Sequence, residues 1–364
     1  MPSLTDIRRR LRTFHPDVVQ LVLIVNVLAF GLSILVSRQL AADPGITGES
    51  HPTTEALLLC GANIPHHVLV RGELYRLVTA CILHVSLIHL GMNCLAIWVL
   101  GRPTQAHLGP ARFFSLYVTT GIVASVVSTL WRGRGWLLGS APSIDFYTAG
   151  VGASGAAMGI MGYLLGYLRG ATDVVSRSLR SQLMFWLIVN VVFGLTNRAI
   201  DNAAHFGGFA AGFAFAVVLN HPRWHRSRRF IGSPALTATL LVIVLVAVGV
   251  AATREVGSWG RDVRAALALR GPFNHTLSQL LLEDTKGIER TLRRTRELAH
   301  QPAMNGRERP LAAYLELGLA LARHQPVPRE EQARTKQELA ETSNELFDLL
   351  GAVWWTAPAA ADPW

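Results

Sequence analysis

The sequence predicts an all-α fold, a polytopic bundle of transmembrane helices followed by a small helical domain outside the membrane. Of its 364 residues, 50% are apolar and only 16% are charged, whereas soluble domains carry about 25% charged residues. The mean hydropathy is +0.31, and a positive value at this length indicates several membrane spans instead of one soluble core. Long apolar runs end near residue 252, where the second part begins.

Seven apolar runs are each long enough to suggest a membrane helix. The first follows a cluster of arginines, as a signal peptide does, but its length of about 20 residues is that of a span. The fifth is the weakest prediction because it is short and contains Asn190. The expected helices are 18–36, 81–100, 111–130, 150–168, 183–195, 203–219 and 235–252.

The arginine distribution predicts the orientation of these helices. The net charge of +10 lies in residues 1–252, because residues 253–364 carry 15 basic and 15 acidic side chains. With the N-terminus in the cytoplasm, thirteen arginines of the first part fall inside and six outside, as the positive-inside rule requires. The arginines cluster between apolar runs, so membrane topology explains the basic balance and no nucleic-acid partner is expected.

This topology divides the chain into four parts. Residues 1–17 form a cytoplasmic segment, 18–220 a six-span core, 221–252 a cytoplasmic loop with a seventh span, and 253–364 a helical domain outside the membrane. The last part has leucines at helical spacing, Leu277, Leu280 and Leu281 and then Leu311, Leu315 and Leu319.

Polar side chains interrupt three of the predicted spans, and polar groups in a membrane helix are functional candidates by default. They are His84, His89 and Asn93 in the second span, Ser154 in the fourth, and Asn202 and His205 at the start of the sixth. In the predicted topology these three spans all start at the outer face. Ser154, His89 and His205 are therefore expected at a similar depth in the outer part of the membrane.

Small residues predict that the fourth and sixth spans pack closely. Gly152, Gly155, Gly159, Gly162 and Gly166 repeat at intervals of three and four residues, and Gly208 and Gly212 form a GxxxG pattern. Such faces let two membrane helices approach closely. Close contact would bring the Ser154 hydroxyl within hydrogen-bond reach of His205, the arrangement that activates a serine nucleophile.

Each polar residue also has a structural interpretation. A serine among glycines is commonly a packing residue, a membrane histidine is commonly structural or part of a transport path, and Asn93 can join two helices. The matched depth of the three groups favours chemistry. His89 and Asn93 are four residues apart on one helical face, where they can donate to an oxyanion together with the Ser154 main-chain N–H.

Four stretches occur in an order and spacing that is specific as a set: 72–77 (GELYRL), 84–93 (HVSLIHLGMN), 152–156 (GASGA) and 201–208 (DNAAHFGG). Together they resemble the rhomboid family of intramembrane serine proteases over about residues 54–220. The resemblance implies a six-helix catalytic core with an extra C-terminal span. Met158 departs from the family, whose members often have an aromatic there that stacks on the catalytic histidine.

The resemblance also implies site roles and partners. Ser154 would be the nucleophile and His205 its base, His89, Asn93 and Ser154 would stabilise the oxyanion, and the supporting residues would be Gly152, Gly155, His84, Asn202 and Met158. Single-span membrane proteins in a lipid bilayer would be the substrates, with no cofactor or metal. The expected location is a bacterial-type plasma membrane.

Other functions stay open from the sequence alone. An inactive relative that binds membrane-protein clients keeps the fold and loses Ser or His, and both are present here. A transporter using His89 and His205 as a proton path would commonly show internal repeats, which this sequence lacks. The natural substrate, the oligomeric state, the role of residues 253–364 and a Cys60–Cys81 disulfide are also undetermined.

Overall fold

A computed structural model describes residues 17–41, 51–140, 143–197, 200–220, 233–256, 285–300, 306–323 and 325–350, with single positions at 262, 265, 266, 268, 269, 272 and 304. The helices in chain order are α1 (Val18–Ala41), α2 (Thr54–Leu59), α3 (Pro65–Leu69), α4 (Arg76–Thr79), α5 (Leu87–Leu108), α6 (Pro110–Arg132), α7 (Arg134–Leu137), α8 (Ser154–Tyr167), α9 (Val174–Thr196), α10 (Asn202–Asn220), α11 (Pro234–Val256), α12 (Thr285–Leu298), α13 (Arg309–Ala322) and α14 (Arg329–Leu350).

The predicted all-α membrane fold is confirmed. In the described part of the chain, the only β-type pairing is an isolated bridge between Asn63 and Gly150. Helices α1, α6, α9, α10 and α11 are long and apolar enough to cross a membrane, and α5 qualifies together with the bent segment Arg76–Ile82 before it. The chain divides into two compact units, one of residues 1–31, 80–131 and 151–246, the other of 32–79, 132–150 and 247–364.

The second span is not the continuous helix 81–100 that the sequence predicts. The segment Arg76–Ile82 meets α5 at an angle of 92°, and Ser86 caps the start of α5 by accepting the His89 N–H at 3.2 Å. A serine cap favours a new helix start because it satisfies a main-chain donor that lacks a helical acceptor. His84 therefore lies in the turn between these two segments and not within a continuous helix.

The fourth predicted span is shorter than expected and lies in the middle of the first unit. Helix α8 has 14 residues, of which twelve are buried, and its length of about 21 Å is less than the thickness of the hydrocarbon core. The predicted start at residue 150 is wrong because Gly152 has φ +134°, a conformation outside the helical region. Ser154 is thus the first residue of α8.

The fifth predicted span is longer than 183–195. Asp173 caps α9 by accepting the Ser176 N–H at 2.8 Å, and the helix continues to Thr196. The added first turns contain Arg177 and Arg180, whose charges hid them from a hydropathy pattern.

In the second unit, a buried ion-pair network organises the first loop, which comprises residues 51–79 after α1. Arg76 is fully buried and donates to Glu73 at 2.6 Å and to the main-chain oxygens of Leu58 and Ala62 at 2.9 Å each. His67 Nδ1 lies 3.2 Å from the same Glu73 oxygen. Because a carboxylate only accepts, Nδ1 carries the proton of the neutral ring. The network thus satisfies one carbonyl group at the end of the short helix α2 and one in the turn that follows it.

This network predicts acid sensitivity of the loop. Burial first, and then the Arg76 charge, lower the pKa of His67 from 6.5 to about 3, against the opposing effect of Glu73. Burial alone would raise the pKa of Glu73, but the His67 hydrogen bond and the Arg76 charge more than offset it, so its pKa lies below 4.5. In both cases the unfolded chain binds protons that the folded loop excludes, so stability falls as the pH is lowered.

We therefore expect the thermal unfolding midpoint to fall between pH 6.5 and about 3 through His67, with Glu73 contributing below 4.5. The midpoint is measured in detergent at each pH. In His67→Gln the slope between pH 6.5 and 4.5 should disappear while the slope below 4.5 persists. An unchanged slope in that variant would exclude His67 as its source.

The C-terminal helices share a hydrophobic core with the first loop in the second unit. The leucines Leu311, Leu315 and Leu319 are buried, as their spacing predicted, whereas Leu277, Leu280 and Leu281 lie outside the described residues. The same buried cluster contains Leu58 and Ile64 of the first loop. The loop therefore has part of its core supplied by residues more than 200 positions later in the chain.

Leu315→Asp is accordingly expected to loosen the first loop as well as the C-terminal helices. A buried, unpaired carboxylate costs several kcal/mol, about the scale of the most damaging single substitutions. Hydrogen exchange at the amides of residues 54–64 should accelerate, while Leu321→Asp on the same helix, where the side chain is 44% exposed, should leave it unchanged. If the amides of residues 54–64 stay protected from exchange when α13 is unfolded, the first loop is independently stable.

Candidate active site

Three helices of the first unit each contribute a polar side chain from their first turn. Ser154 is the first residue of α8, His89 the third of α5 and His205 the fourth of α10. A helix N-terminus carries unsatisfied N–H groups and the positive end of the helix dipole. Three such ends therefore provide a polar, electropositive location inside an otherwise apolar bundle.

Ser154 and His205 are in direct contact. The distance from His205 Nε2 to Ser154 Oγ is 2.8 Å, between residues 51 positions apart. This is the ordinary length of a hydrogen bond, and it fits donation from the hydroxyl to Nε2 when the neutral ring has its proton on Nδ1. A hydroxyl hydrogen-bonded to an imidazole is the pairing that makes serine nucleophilic.

The glycine faces bring these two residues together. A Cβ added to Gly208 would overlap the Gly155 carbonyl, and one on Gly212 would overlap the Gly159 carbonyl. A Cβ on Gly162 would likewise overlap the Phe209 carbonyl of α10. Helices α8 and α10 thus pack backbone against backbone, as the glycine spacing predicted, and no larger residue fits between them.

The segment before Ser154 is held by His84 and by a main-chain hydrogen bond. Gly152 donates its N–H to the Ala80 oxygen at 2.9 Å, and His84 Nε2 accepts the Ala153 N–H at 3.5 Å. The His84 and His89 rings lie edge to face with centroids 5.1 Å apart. His84 therefore orients both the loop and the ring of His89.

Gly152 is required for its conformation and for its size. Its φ is +134°, and a Cβ there would stand 2.8 Å from His89 Cε1, 3.0 Å from His89 Nε2 and 3.7 Å from Ser154 Oγ. The conformation alone costs an L-residue about 1–3 kcal/mol. The short approach places the His89 ring beside the serine.

From this contact we expect Gly152→Ala to lower the rate of any reaction at Ser154 by about 10-fold to 100-fold, because misplacing a reacting group by about 1 Å has this effect. Gly91→Ala is the control, since Gly91 lies in α5 two residues after His89 and a Cβ there meets nothing within 4 Å. Turnover is measured for both. Equal loss in the two variants would contradict the explanation.

Three of the predicted site residues have other partners in the structure. Asn93 is buried and its amide donates to the His89 carbonyl at 2.9 Å. The Asn202 amide donates to the Gly194 carbonyl of α9 at 2.8 Å. Met158 is 7% exposed and packs in the apolar core of the first unit. Of the remaining candidates, Gly155 packs against Ala124 of α6.

Two residues beside the site, Asp201 and Ser128, are not among the predicted site residues, since the predicted topology puts Asp201 in the outer loop and gives it no role in orienting His205. The Asp201 carboxylate accepts the Ala204 N–H at 2.9 Å and the Ser128 hydroxyl. The signal available in the sequence was an Asp immediately before a helix, three residues before the N–H it accepts, which is the pattern of a helix cap.

Comparisons with known proteins match this part of the chain. The model of the Rhomboid domain matches residues 71–222. The chain is 30% identical to Rhomboid-like protease 3 of Toxoplasma gondii over 200 residues, which cover 53% of this chain and 70% of that protein. The chain belongs to the rhomboid family. The matched domain contains all the candidate site residues described above, and it ends before the C-terminal helices.

Other rhomboid relatives are matched over a smaller part of their length. Identity to Rhomboid protease GluP of Bacillus subtilis (strain 168) is 31% over 219 residues, 60% of this chain and 38% of that protein. Identity to Rhomboid protease AarA of Providencia stuartii is 32% over 177 residues, 44% of this chain and 61% of that protein. The chain thus spans less than two thirds of the length of these two rhomboid proteases.

Proposed function

We propose that this chain is an intramembrane serine endopeptidase that cleaves single-span membrane proteins in or near their transmembrane segment. The observation that carries the proposal is the 2.8 Å contact between His205 Nε2 and Ser154 Oγ. Membership of the rhomboid family, in which the three relatives reported above are named proteases, supports it. A Ser–His pair inside a membrane bundle has a direct use in acyl transfer and little use in packing.

The reaction follows from the geometry of the pair. His205 takes the hydroxyl proton as Ser154 Oγ attacks the scissile carbonyl carbon, and the resulting imidazolium returns the proton to the leaving amine. The acyl ester on Ser154 is then attacked by water, which gives its proton to His205. Release of the carboxylic acid restores the hydroxyl and the neutral imidazole.

The oxyanion of the tetrahedral intermediate would be held near the start of α8. As the first residue of that helix, Ser154 has no intrahelical acceptor for its main-chain N–H, and the His89 ring lies beside Gly152. Asn93 reaches this position only if its amide turns from the His89 carbonyl, or donates its second hydrogen. Donors fixed before the reaction stabilise developing charge with little reorganisation.

The substrate must present an accessible carbonyl to Ser154. A transmembrane helix uses its carbonyls in its own hydrogen bonds, so the cleaved segment has to unwind. Glycine and proline lower helix stability by about 1 and 3 kcal/mol relative to alanine. We therefore propose a preference for substrates with small or helix-breaking residues near the cut.

The proposed location is a bacterial-type plasma membrane, with the N-terminus in the cytoplasm and the C-terminal domain outside. The distribution of arginines supports this orientation. Ser154, His89 and His205 then lie in the outer part of the bilayer, where water for deacylation reaches them from outside.

The proposal is tested with purified protein in liposomes and a single-span model substrate. Wild type should cleave, and mass spectrometry should place the cut in or near the span, whereas Ser154→Ala and His205→Ala should not cleave. Ser178→Ala and His107→Ala are matched controls, both exposed and outside the site. Binding of the substrate by the wild type without any cleavage would favour a client-binding protein.

A further inference from the structure

One carboxylate joins the helix that carries His205 to a neighbouring helix. Asp201 directly precedes α10. Its Oδ1 accepts the Ala204 N–H at 2.9 Å, and its main-chain oxygen accepts the His205 N–H at 3.1 Å. The first turn of α10, including the main chain of His205, is thus anchored on this single residue. Capping of this kind contributes about 1 kcal/mol to helix stability.

The second carboxylate oxygen of Asp201 has its partner on α6. Ser128, which is 1% exposed, donates its hydroxyl to Oδ2. Hydrogen bonds from a hydroxyl to a carboxylate are among the shorter and stronger ones in proteins. Each carboxylate oxygen therefore has a partner other than the imidazole ring, and the carboxylate sets the position of the α10 start relative to α6.

The same face of α6 also contacts the helix that carries Ser154. Ala124, Val127 and Ser128 lie at spacings of three and four residues, so they share one helical face. A Cβ on Gly155 of α8 would stand 2.5 Å from the Ala124 Cβ, and a Cβ on Gly207 of α10 would stand 2.7 Å from the Val127 Cβ. Helix α6 is thus a common support for the two helices that carry the reactive pair.

We propose that Asp201, through Ser128, is a positioning residue that keeps His205 within hydrogen-bond distance of Ser154. The inference rests on the proposed peptidase function and adds a role that the dyad itself does not include. The inference assigns the role to the hydrogen bonds of the carboxylate with a main-chain N–H and a hydroxyl, and Asp201→Asn tests this against a role of the negative charge. An asparagine offers the same cap acceptor, and its amide donates to the Ser128 hydroxyl, which then accepts.

The test compares Asp201→Ala, Asp201→Asn and Ser128→Ala in the full chain. We expect Asp201→Ala to lower kcat by about 10-fold to 100-fold with KM within about twofold, as for a misplaced catalytic base. Asp201→Asn should restore kcat to within about threefold of wild type, since asparagine caps helices as well as aspartate. Ser128→Ala should fall between them, and Ser178→Ala should match wild type.

Hydrogen exchange at the Ala204 and His205 amides provides a readout that does not depend on activity. Exchange should accelerate in Asp201→Ala and return to the wild-type rate in Asp201→Asn. Equal kcat in Asp201→Asn and Asp201→Ala, both low, would assign the role to charge and overturn the inference, as would unchanged kcat in Asp201→Ala. If the wild type cleaves no substrate, the peptidase function is overturned. Hydrogen exchange would then still show whether Asp201 anchors the start of α10.

Discussion

Ser154→Ala and His205→Ala are each expected to lower kcat for a single-span substrate by about 10³-fold or more, with little change in KM. Both residues serve one proton transfer across a distance of 2.8 Å. Without the base the hydroxyl keeps its proton, and without the hydroxyl the base has no nucleophile to activate. Both substitutions leave the exposed side chains of the bundle unchanged, so we expect substrate binding to persist.

Because the two residues act as a unit, the double variant should be no slower than the slower single variant. Independent contributions would multiply to about 10⁶-fold or more, and non-additivity is the usual sign of groups that share one step. Rates are measured with excess enzyme in a single turnover, and circular dichroism controls for folding. Multiplied effects in the double variant would show that Ser154 and His205 act in separate steps.

The sequence predicted the features that follow from regular helical spacing. Glycines at intervals of three and four residues identified the contact between α8 and α10, and polar residues in three apolar runs identified the side chains that meet there. These predictions succeeded because a helix converts a spacing in sequence into a face in space. The leucines of α13 were predicted in the same way.

The sequence did not reveal features that depend on single backbone positions. Hydropathy is nearly continuous across the 92° bend before α5, so only the Ser86 cap marks the new helix start. The φ of Gly152 decides that α8 starts at Ser154, and a glycine in a sequence does not specify its φ. The partner of Asp201 was hidden for another reason, since Ser128 lies 73 positions away.

Gly212→Ala is expected to have the second-largest effect, although Gly212 lies two helical turns from His205. The new Cβ would overlap the Gly159 carbonyl, and a main-chain oxygen cannot rotate away as a side chain can. The helices would have to separate, at a cost of about 1–3 kcal/mol for overpacking. A separation of about 1 Å at the dyad would lower kcat by about 10²-fold.

Gly249→Ala is the matched control for this change, because Gly249 lies within the apolar helix α11 and a Cβ there meets nothing within 4 Å. With no clash, the exchange removes a helix-weakening glycine and should leave stability equal or higher by up to about 1 kcal/mol. Thermal unfolding and single-turnover cleavage are measured on both variants.

If Gly212→Ala unfolds at the wild-type temperature and cleaves at the wild-type rate, backbone contact between α8 and α10 does not set the distance between Ser154 and His205. If it loses activity while keeping its helical content, the contact positions the dyad as well as stabilising the fold.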